Sequence, residues 1–360
     1  MRKIIVPIEF SHSFGGMQKS ILTLLLSLKE QYDITVVTPI GSDIKHFFEE
    51  HGLRVIQVFN EEQWRIRRVL GLVNIFRLRR EIKKLLDENT ILLTNNITSE
   101  VIFGLFGKIK KEQRVFISRG GDYKGVYRLL LRLSLRSIGE IVSISKKQAD
   151  VVKKDLGLQS VVINNPILDY KIETIQRDTL VISNIGHFCE RKNQMLLVDS
   201  FDILNKEGFK HLSISFYGNS TTPEDEDYEK KLKEHIEYKG LSSQIKFKGY
   251  EKSVENIFNN TDIVVSTAVE EGFGRTIAEG LIFKKPVIAL NCAGGPKDII
   301  KNRETGWLID NSKYELAKAL REIITDQNSK KIIDNGHKYA KEQFSLESIS
   351  KKYQLVFKKL

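Results

Sequence analysis

Short runs of β-branched and aliphatic residues alternate with longer amphipathic stretches along most of the chain. In the N-terminal half the runs at 3–8, 34–38, 54–58, 91–95, 115–118, 140–144 and 161–164 predict strands, and the stretches at 17–29, 43–51, 69–87 and 146–154 predict helices. Strands alternating with helices of this length imply a parallel sheet wound by right-handed crossovers. The rhythm breaks at Asn165-Pro166-Ile167-Leu168-Asp169-Tyr170 and a charged stretch follows through Asp178, which reads as a linker. Strands then resume at 180–185, 212–217, 245–247, 263–267, 286–290 and 306–309, with helices expected at 194–206, 226–239, 251–259, 275–283, 295–301 and 312–325. Residues 329–360 read as two basic helices with no further strand. The expected class is α/β, with two Rossmann-like doubly wound domains at 1–168 and 169–335, and helices at 336–360 packing back toward the first.

Length supports this division. A chain of 360 residues exceeds the roughly 250–300 at which one hydrophobic core stops growing. A central cleft between two domains is therefore expected. With 41% hydrophobic and 29% charged residues and only 6 prolines, nearly all of the chain should fold. Cys189 and Cys292 make no disulfide framework and match no metal spacing, which suits a reducing compartment. The start, MRKIIVPIEF, is broken at Pro7 and Glu9 and reads as a first strand, not a leader. No apolar run approaches the roughly 18–20 residues of a membrane span. Lys plus Arg exceed Asp plus Glu by 57 to 46, which favours an anionic partner without choosing it.

Chemistry concentrates in residues 261–295, TDIVVSTAVEEGFGRTIAEGLIFKKPVIALNCAGG. An apolar strand at 263–267 runs into a turn holding Glu271, Gly272, Phe273 and Gly274, and a helix opens near Arg275 or Thr276. Ligands of open α/β sheets bind at such carboxyl ends, and the free N–H groups of the helix start suit a phosphate. Glu271 and Glu279, seven residues intervening, are up to about 12 Å apart at the helical rise of roughly 1.5 Å per residue. That is close to the sugar-to-ribose length of a nucleotide-sugar. Taken alone, the pair reads more simply as solvated acids attracted to a helix N-terminus.

Context reverses that order. The block resembles the donor-site signature of the retaining family-4 glycosyltransferases of GT-B fold, Glu, any seven residues, Glu. Further family-like pieces stand in order along essentially the full chain: Gly15-Gly16, Asn164-Asn165-Pro166-Ile167, Gly186 through Asn193 (GHFCERKN), Phe216-Tyr217-Gly218, Phe247-Lys248-Gly249-Tyr250, and Gly294-Gly295 with Asp298. The resemblance implies an NDP-sugar-dependent hexosyltransferase without a metal or other cofactor. Under it Glu271 faces the donor sugar, Glu279 the ribose, and the amides of Phe273 to Thr276 the sugar hydroxyls and phosphate. Gly186, Gly218 and Tyr250 complete the donor side, Lys192 and Arg191 supply cations to the phosphates, and Gly16 approaches the diphosphate. His187 stands where the family carries arginine. Where many relatives have a histidine near the reacting centre, this chain offers Arg119 and Asp122, assigned to the acceptor side with a glycine-rich loop as the equal alternative.

Other candidates weigh less. Asp225 and Asp227 match an Asp-x-Asp metal pattern but open a charged helix, where acids are favoured anyway. Lys124, Arg128, Arg132 and Arg136 recur every four residues in a leucine-rich stretch and, with Trp64, Arg65, Arg67, Arg68, Arg77, Arg79, Arg80, Lys83 and Lys84, resemble a surface for anionic lipid; a solvated helix face is the equal alternative. The expected partners are thus a nucleotide-sugar donor, a glycan or polyprenyl-linked acceptor and an anionic membrane surface. Nucleic acid is not expected, since no aromatic-basic recognition motif is present. The resemblance points to transfer with retention to a glycan or lipid-linked oligosaccharide in bacterial surface polysaccharide synthesis, in the cytoplasm or peripherally on the inner membrane face. The alternatives are a GT-B sugar-nucleotide epimerase and a basic nucleic-acid-binding protein.

Overall fold

The computed structural model describes residues 1–8, 16–42, 44–60, 84–101, 103, 109–120, 123–136, 138–173 and 175–360. The chain divides into two compact units, Met1–Pro166 with Leu346–Leu360, and Ile167–Ser345.

The N-terminal unit is built on seven strands: β1 (Arg2–Pro7), β2 (Tyr32–Ile40), β3 (Arg54–Asn60), β4 (Thr90–Thr94), β5 (Arg114–Ser118), β6 (Glu140–Ser143) and β7 (Val161–Val162). They lie parallel in the order β3-β2-β1-β4-β5-β6-β7. Every residue of β4 and β5 is buried, as expected of central strands covered on both faces. Burial of Arg114 at the start of β5 requires compensation. It pairs with buried Glu100 and also donates to the Ser134 carbonyl and hydroxyl, each at 2.8 Å, while Thr94 Oγ1 donates to Glu100 Oε2 at 2.5 Å. The chain's last helix, Leu346–Lys358, belongs to this unit and packs on the first, Gly16–Leu28. Arg2 ties the two ends together through a 2.7 Å bond to the Phe357 carbonyl. The helix expected at 69–87 falls mostly outside the described residues, as do the basic residues 64–83.

The C-terminal unit has a six-stranded parallel sheet of β8 (Leu180–Ile185), β9 (Leu212–Tyr217), β10 (Ile245–Gly249), β11 (Ile263–Ser266), β13 (Val287–Leu290) and β15 (Trp307–Ile309), in the order β10-β9-β8-β11-β13-β15. Two further strands of two residues each, β12 (Glu270–Glu271) and β14 (Ala293–Gly294), pair parallel beyond the ends of β11 and β13. Ile182, Ile214, Phe216, Val265, Ile288 and Trp307 carry one sheet face into the main core of this unit. Chain order runs outward from β8 in one direction and resumes at β11 in the other. Between them lies a topological switch point, the place where loops diverge and leave a crevice at the carboxyl ends of the strands.

Candidate active site

The two loops that leave this switch point are stitched to each other. From β8 the chain passes through Gly186 and His187 into a single helical turn, Glu190–Lys192. From β11 it passes through Thr267 to Glu271. Asn184, buried near the end of β8, donates to the Val265 carbonyl at 2.9 Å and to Thr267 Oγ1 at 3.1 Å, and Thr267 Oγ1 donates onward to the Lys192 carbonyl at 2.7 Å. Val269 N–H bonds the Arg191 carbonyl at 3.0 Å, and Arg191 Nη1 returns a 2.8 Å bond to the Glu270 carbonyl. With the backbones fixed, the side chains of Lys192 and Glu271 meet across the crevice, Nζ to Oε2 at 2.5 Å, with both side chains about five-sixths buried.

Glycines make that approach feasible. A Cβ on Gly218 would lie 1.9 Å from the Gly186 carbonyl oxygen, so the ends of β8 and β9 close only without one. Gly294 and Gly295 do the same for the Glu271 loop: their Cβ atoms would lie 1.8 Å from the Glu271 oxygen and 1.7 Å from the Phe273 oxygen. The loop is held there by the β12–β14 pairing and by Gly295 N–H donating to the Glu271 carbonyl at 3.2 Å.

Helix Arg275–Ile282 then begins from Gly274, whose φ of 89° is open to glycine at little cost. Ile277 and Ala278 N–H donate to the Gly274 carbonyl at 3.0 and 3.2 Å, and the N–H groups before them have no acceptor within the helix, which leaves a positive end at the crevice. Phe273 is buried and meets Phe344 edge-on at 5.7 Å, anchoring the turn, while Gly272 is exposed. One turn into the helix Glu279 is buried, and Arg275 Nε donates to its Oε1 at 2.7 Å. Arg275 also bonds Tyr170, a ring stacked on Phe283 at 5.0 Å. Burial alone would lower the Arg275 pKa, but Glu279 and Tyr170 outweigh it and raise it. Burial, reinforced by the Glu279 charge, pushes the Tyr170 phenol well above its ordinary value. Glu279 is therefore a fixed carboxylate with a permanent cation on one oxygen.

Most of the residues expected from the sequence are thus in one place. Gly186, Lys192, Arg191, Gly218, Glu271 and the 272–276 turn surround the switch point. His187 is exposed, with its ring Nδ1 3.2 Å from the Asn219 carbonyl, and Tyr250 is half-exposed just beyond β10. Gly16 opens the first helix of the other unit; Arg119 follows β5 there and bonds Asn165 Oδ1 at 3.1 Å. Asp122 lies outside the described residues. Asp225 accepts from the Thr221 amide and hydroxyl at a helix start, and Asp227 pairs with Lys231 one turn on, so both have local structural work. Among the described residues no group of three or more His, Cys, Asp or Glu gathers to hold a metal. Sequence reasoning missed Asn184, Thr267 and Tyr170.

Residues 169–339 match the sequence profile of the family described as glycosyl transferases group 1. The C-terminal unit is a group 1 glycosyl transferase domain. Among curated relatives, the chain is 26% identical over 179 residues to the poly(ribitol-phosphate) alpha-N-acetylglucosaminyltransferase of Staphylococcus aureus, 49% of this chain and 35% of that protein. It is 20% identical over 356 residues, 94% of each, to the GalNAc-alpha-(1->4)-GalNAc-alpha-(1->3)-diNAcBac-PP-undecaprenol alpha-1,4-N-acetyl-D-galactosaminyltransferase of Campylobacter jejuni. The chain spans about half or less of the length of the first curated relatives it matches, 35%, 53% and 50%. Among solved structures, HepE of Anabaena in complex with UDP aligns over 100% of both chains with a TM-score of 0.82 at 17% identity. That likeness gives the group 1 domain and its partner unit the GT-B fold. The Lys192–Glu271 pair and the Arg275–Glu279 pair both fall inside the matched residues.

Proposed function

We propose that the protein is a retaining glycosyltransferase that moves a sugar from a nucleoside diphosphate to a hydroxyl of a glycan or lipid-linked oligosaccharide in surface polysaccharide synthesis. The observation that carries this is the Lys192–Glu271 pair, set at the switch point beside the amide end of helix Arg275–Ile282. A cation and a ring of N–H donors suit a diphosphate; a carboxylate beside them suits sugar hydroxyls; Glu279, held by Arg275, suits the vicinal hydroxyls of a ribose.

Electrostatics give the sequence of events. Without donor, Lys192 and Glu271 neutralise each other. An arriving diphosphate competes for the ammonium, and the carboxylate it displaces is free to accept from the sugar. Lys192 and the helix amides then stabilise charge as it grows on the leaving phosphate, while positioning supplies the rest. In the family's same-face mechanism the acceptor proton passes to that phosphate, and no protein base is required of this site. A polyprenyl-linked acceptor, as in the name of the Campylobacter relative, would place the reaction on the cytoplasmic face of a membrane.

Thermal-shift measurements against UDP-, GDP-, ADP- and CMP-sugars test the proposal: at least one should stabilise the protein, and if none does the assignment fails. Glu271→Ala should abolish donor turnover with the circular dichroism spectrum unchanged, whereas Asp225→Ala should leave turnover near wild type. Equal loss from both would overturn the site.

A further inference from the structure

Helix Gly125–Leu135 in the N-terminal unit is apolar on two opposite faces. Its inner face seats Leu131 and Leu135 against Val152 and Leu156 in a buried cluster. Helical periodicity puts Val126, Leu129 and Leu133 on the far side, where they stand 65%, 56% and 42% exposed. A helix on the surface of a globular domain ordinarily turns charged residues outward at those positions. Here the cations border the apolar stripe instead. Arg128, Arg132 and Arg136 run along one flank, all exposed, and the helix carries no acidic residue. The packed neighbouring turn, Val152–Leu156, adds exposed Lys153 and Lys154.

We propose that this face docks on an anionic lipid bilayer, with Val126, Leu129 and Leu133 entering the boundary between headgroups and acyl chains and the arginines meeting lipid phosphates. At about 1.5 Å per residue a helix of 11 residues cannot span a membrane, and it lies flat in the interface. A second copy of the chain is a poor occupant: a two-fold contact would bring the same arginine flank toward itself, at a cost in like-charge repulsion. Nucleic acid would match the arginines but leave the leucines exposed to water. The proposal rests on the membrane-face reading of the acceptor above for its purpose, yet its test needs neither donor nor acceptor.

Full-length protein is sedimented with vesicles of phosphatidylcholine mixed with phosphatidylglycerol, and with vesicles of phosphatidylcholine alone, across a salt series. Binding is expected on the mixed vesicles and to weaken on the neutral ones. Arg132→Gln with Arg136→Gln should lower the partition coefficient about 25-fold and flatten its salt dependence. Leu129→Ser with Leu133→Ser should lower it about tenfold while leaving the salt dependence intact. All four positions are exposed, so melting temperatures should hold, and the arginine pair gives a reading even if the leucine pair disturbs folding. Wild-type protein that stays in the supernatant with mixed vesicles, or variants that sediment as well as wild type, would overturn the proposal. So would leucine variants that change only oligomeric mass. A protein that is stabilised by a nucleotide-sugar but ignores vesicles would refute the docking surface and leave the transferase reading standing.

Discussion

Gly295→Ala tests whether the glycine contacts around Glu271 exist to place that carboxylate. Gly295 has φ −54°, a conformation any residue adopts, so alanine brings no backbone strain and the effect is steric alone. The added Cβ would lie 1.7 Å from the Phe273 oxygen, 2.2 Å from its carbonyl carbon and 2.5 Å from its Cα. A carbon and a carbonyl oxygen tolerate about 3.3 Å, so one of the two segments must withdraw by about 1.6 Å. Both segments end on the site: Phe273 is two residues from Glu271 and adjoins the Gly274 cap, and Gly295 N–H holds the Glu271 carbonyl. A shift of that size breaks the 2.5 Å Lys192–Glu271 contact and re-aims the first amides of the helix. Misplacement of about 1 Å costs on the order of 100-fold in rate, so kcat/KM for donor turnover should fall at least that far. Overpacking costs about 1–3 kcal/mol, which the fold survives with a Tm lower by several degrees. The assay is nucleoside diphosphate release from the sugar nucleotide found by thermal shift, with melting curves on the same preparation. Turnover within about threefold of wild type would show that the loop's placement is not what the chemistry needs.

Three further outcomes follow from the described contacts. Tyr170→Phe removes one partner of Arg275, which should cost about 1 kcal/mol in urea unfolding and, on the proposed function, in which Glu279 holds the donor, raise the donor KM more than it lowers kcat; unchanged donor affinity would detach Tyr170 from the site. Glu100→Gln leaves Arg114 buried without its counter-charge and should destabilise the N-terminal unit by about 3–5 kcal/mol, read as a lower urea midpoint for the unfolding of that unit. Burial raises the phenol pKa values of Tyr170, Tyr353 and Tyr228, the last to about 12. Their stabilisation is full below the unfolded value near 10 and is lost as pH rises through the folded values. Urea midpoints should therefore fall above pH 10, and Tyr228→Phe should flatten the decline between pH 10 and about 12.

Legibility in the sequence followed the kind of force that makes each element. Strands β8 and β9 and the helix Gln194–Lys206 were predicted residue for residue, because central parallel strands and core-facing helices are written directly as apolar runs and periods. Where capping decides, apolar pattern misleads: the helix expected from 226 starts at Pro223 because Thr222 accepts from the Asp225 amide, and the one expected from 251 starts at Val254 because Ser253 caps it. The β12–β14 pairing has no signature in the sequence. Two residues per strand carry no periodicity, and the pairing depends on backbone approach through Gly294 and Gly295.

The same distinction separates the roles at the site. The family resemblance, not residue types and spacing alone, brought Glu271, Glu279 and Lys192 forward as separate contacts to a donor, and neither could say that they already had partners. Arg275, read as a donor contact, stands four residues before Glu279 in the less favourable order for a helical ion pair, and it is buried with that carboxylate and with a tyrosine more than a hundred residues earlier in the chain. Lys192 and Glu271, 79 residues apart, bond each other. On the proposed function this pairing is a condition on binding. A ligand without a diphosphate gives Lys192 no reason to leave Glu271, so the carboxylate that should hold the sugar stays occupied. A free sugar should accordingly bind far more weakly than the same sugar on its nucleotide, and Lys192→Ala, which removes the competitor along with the phosphate contact, should narrow that difference even as turnover is lost.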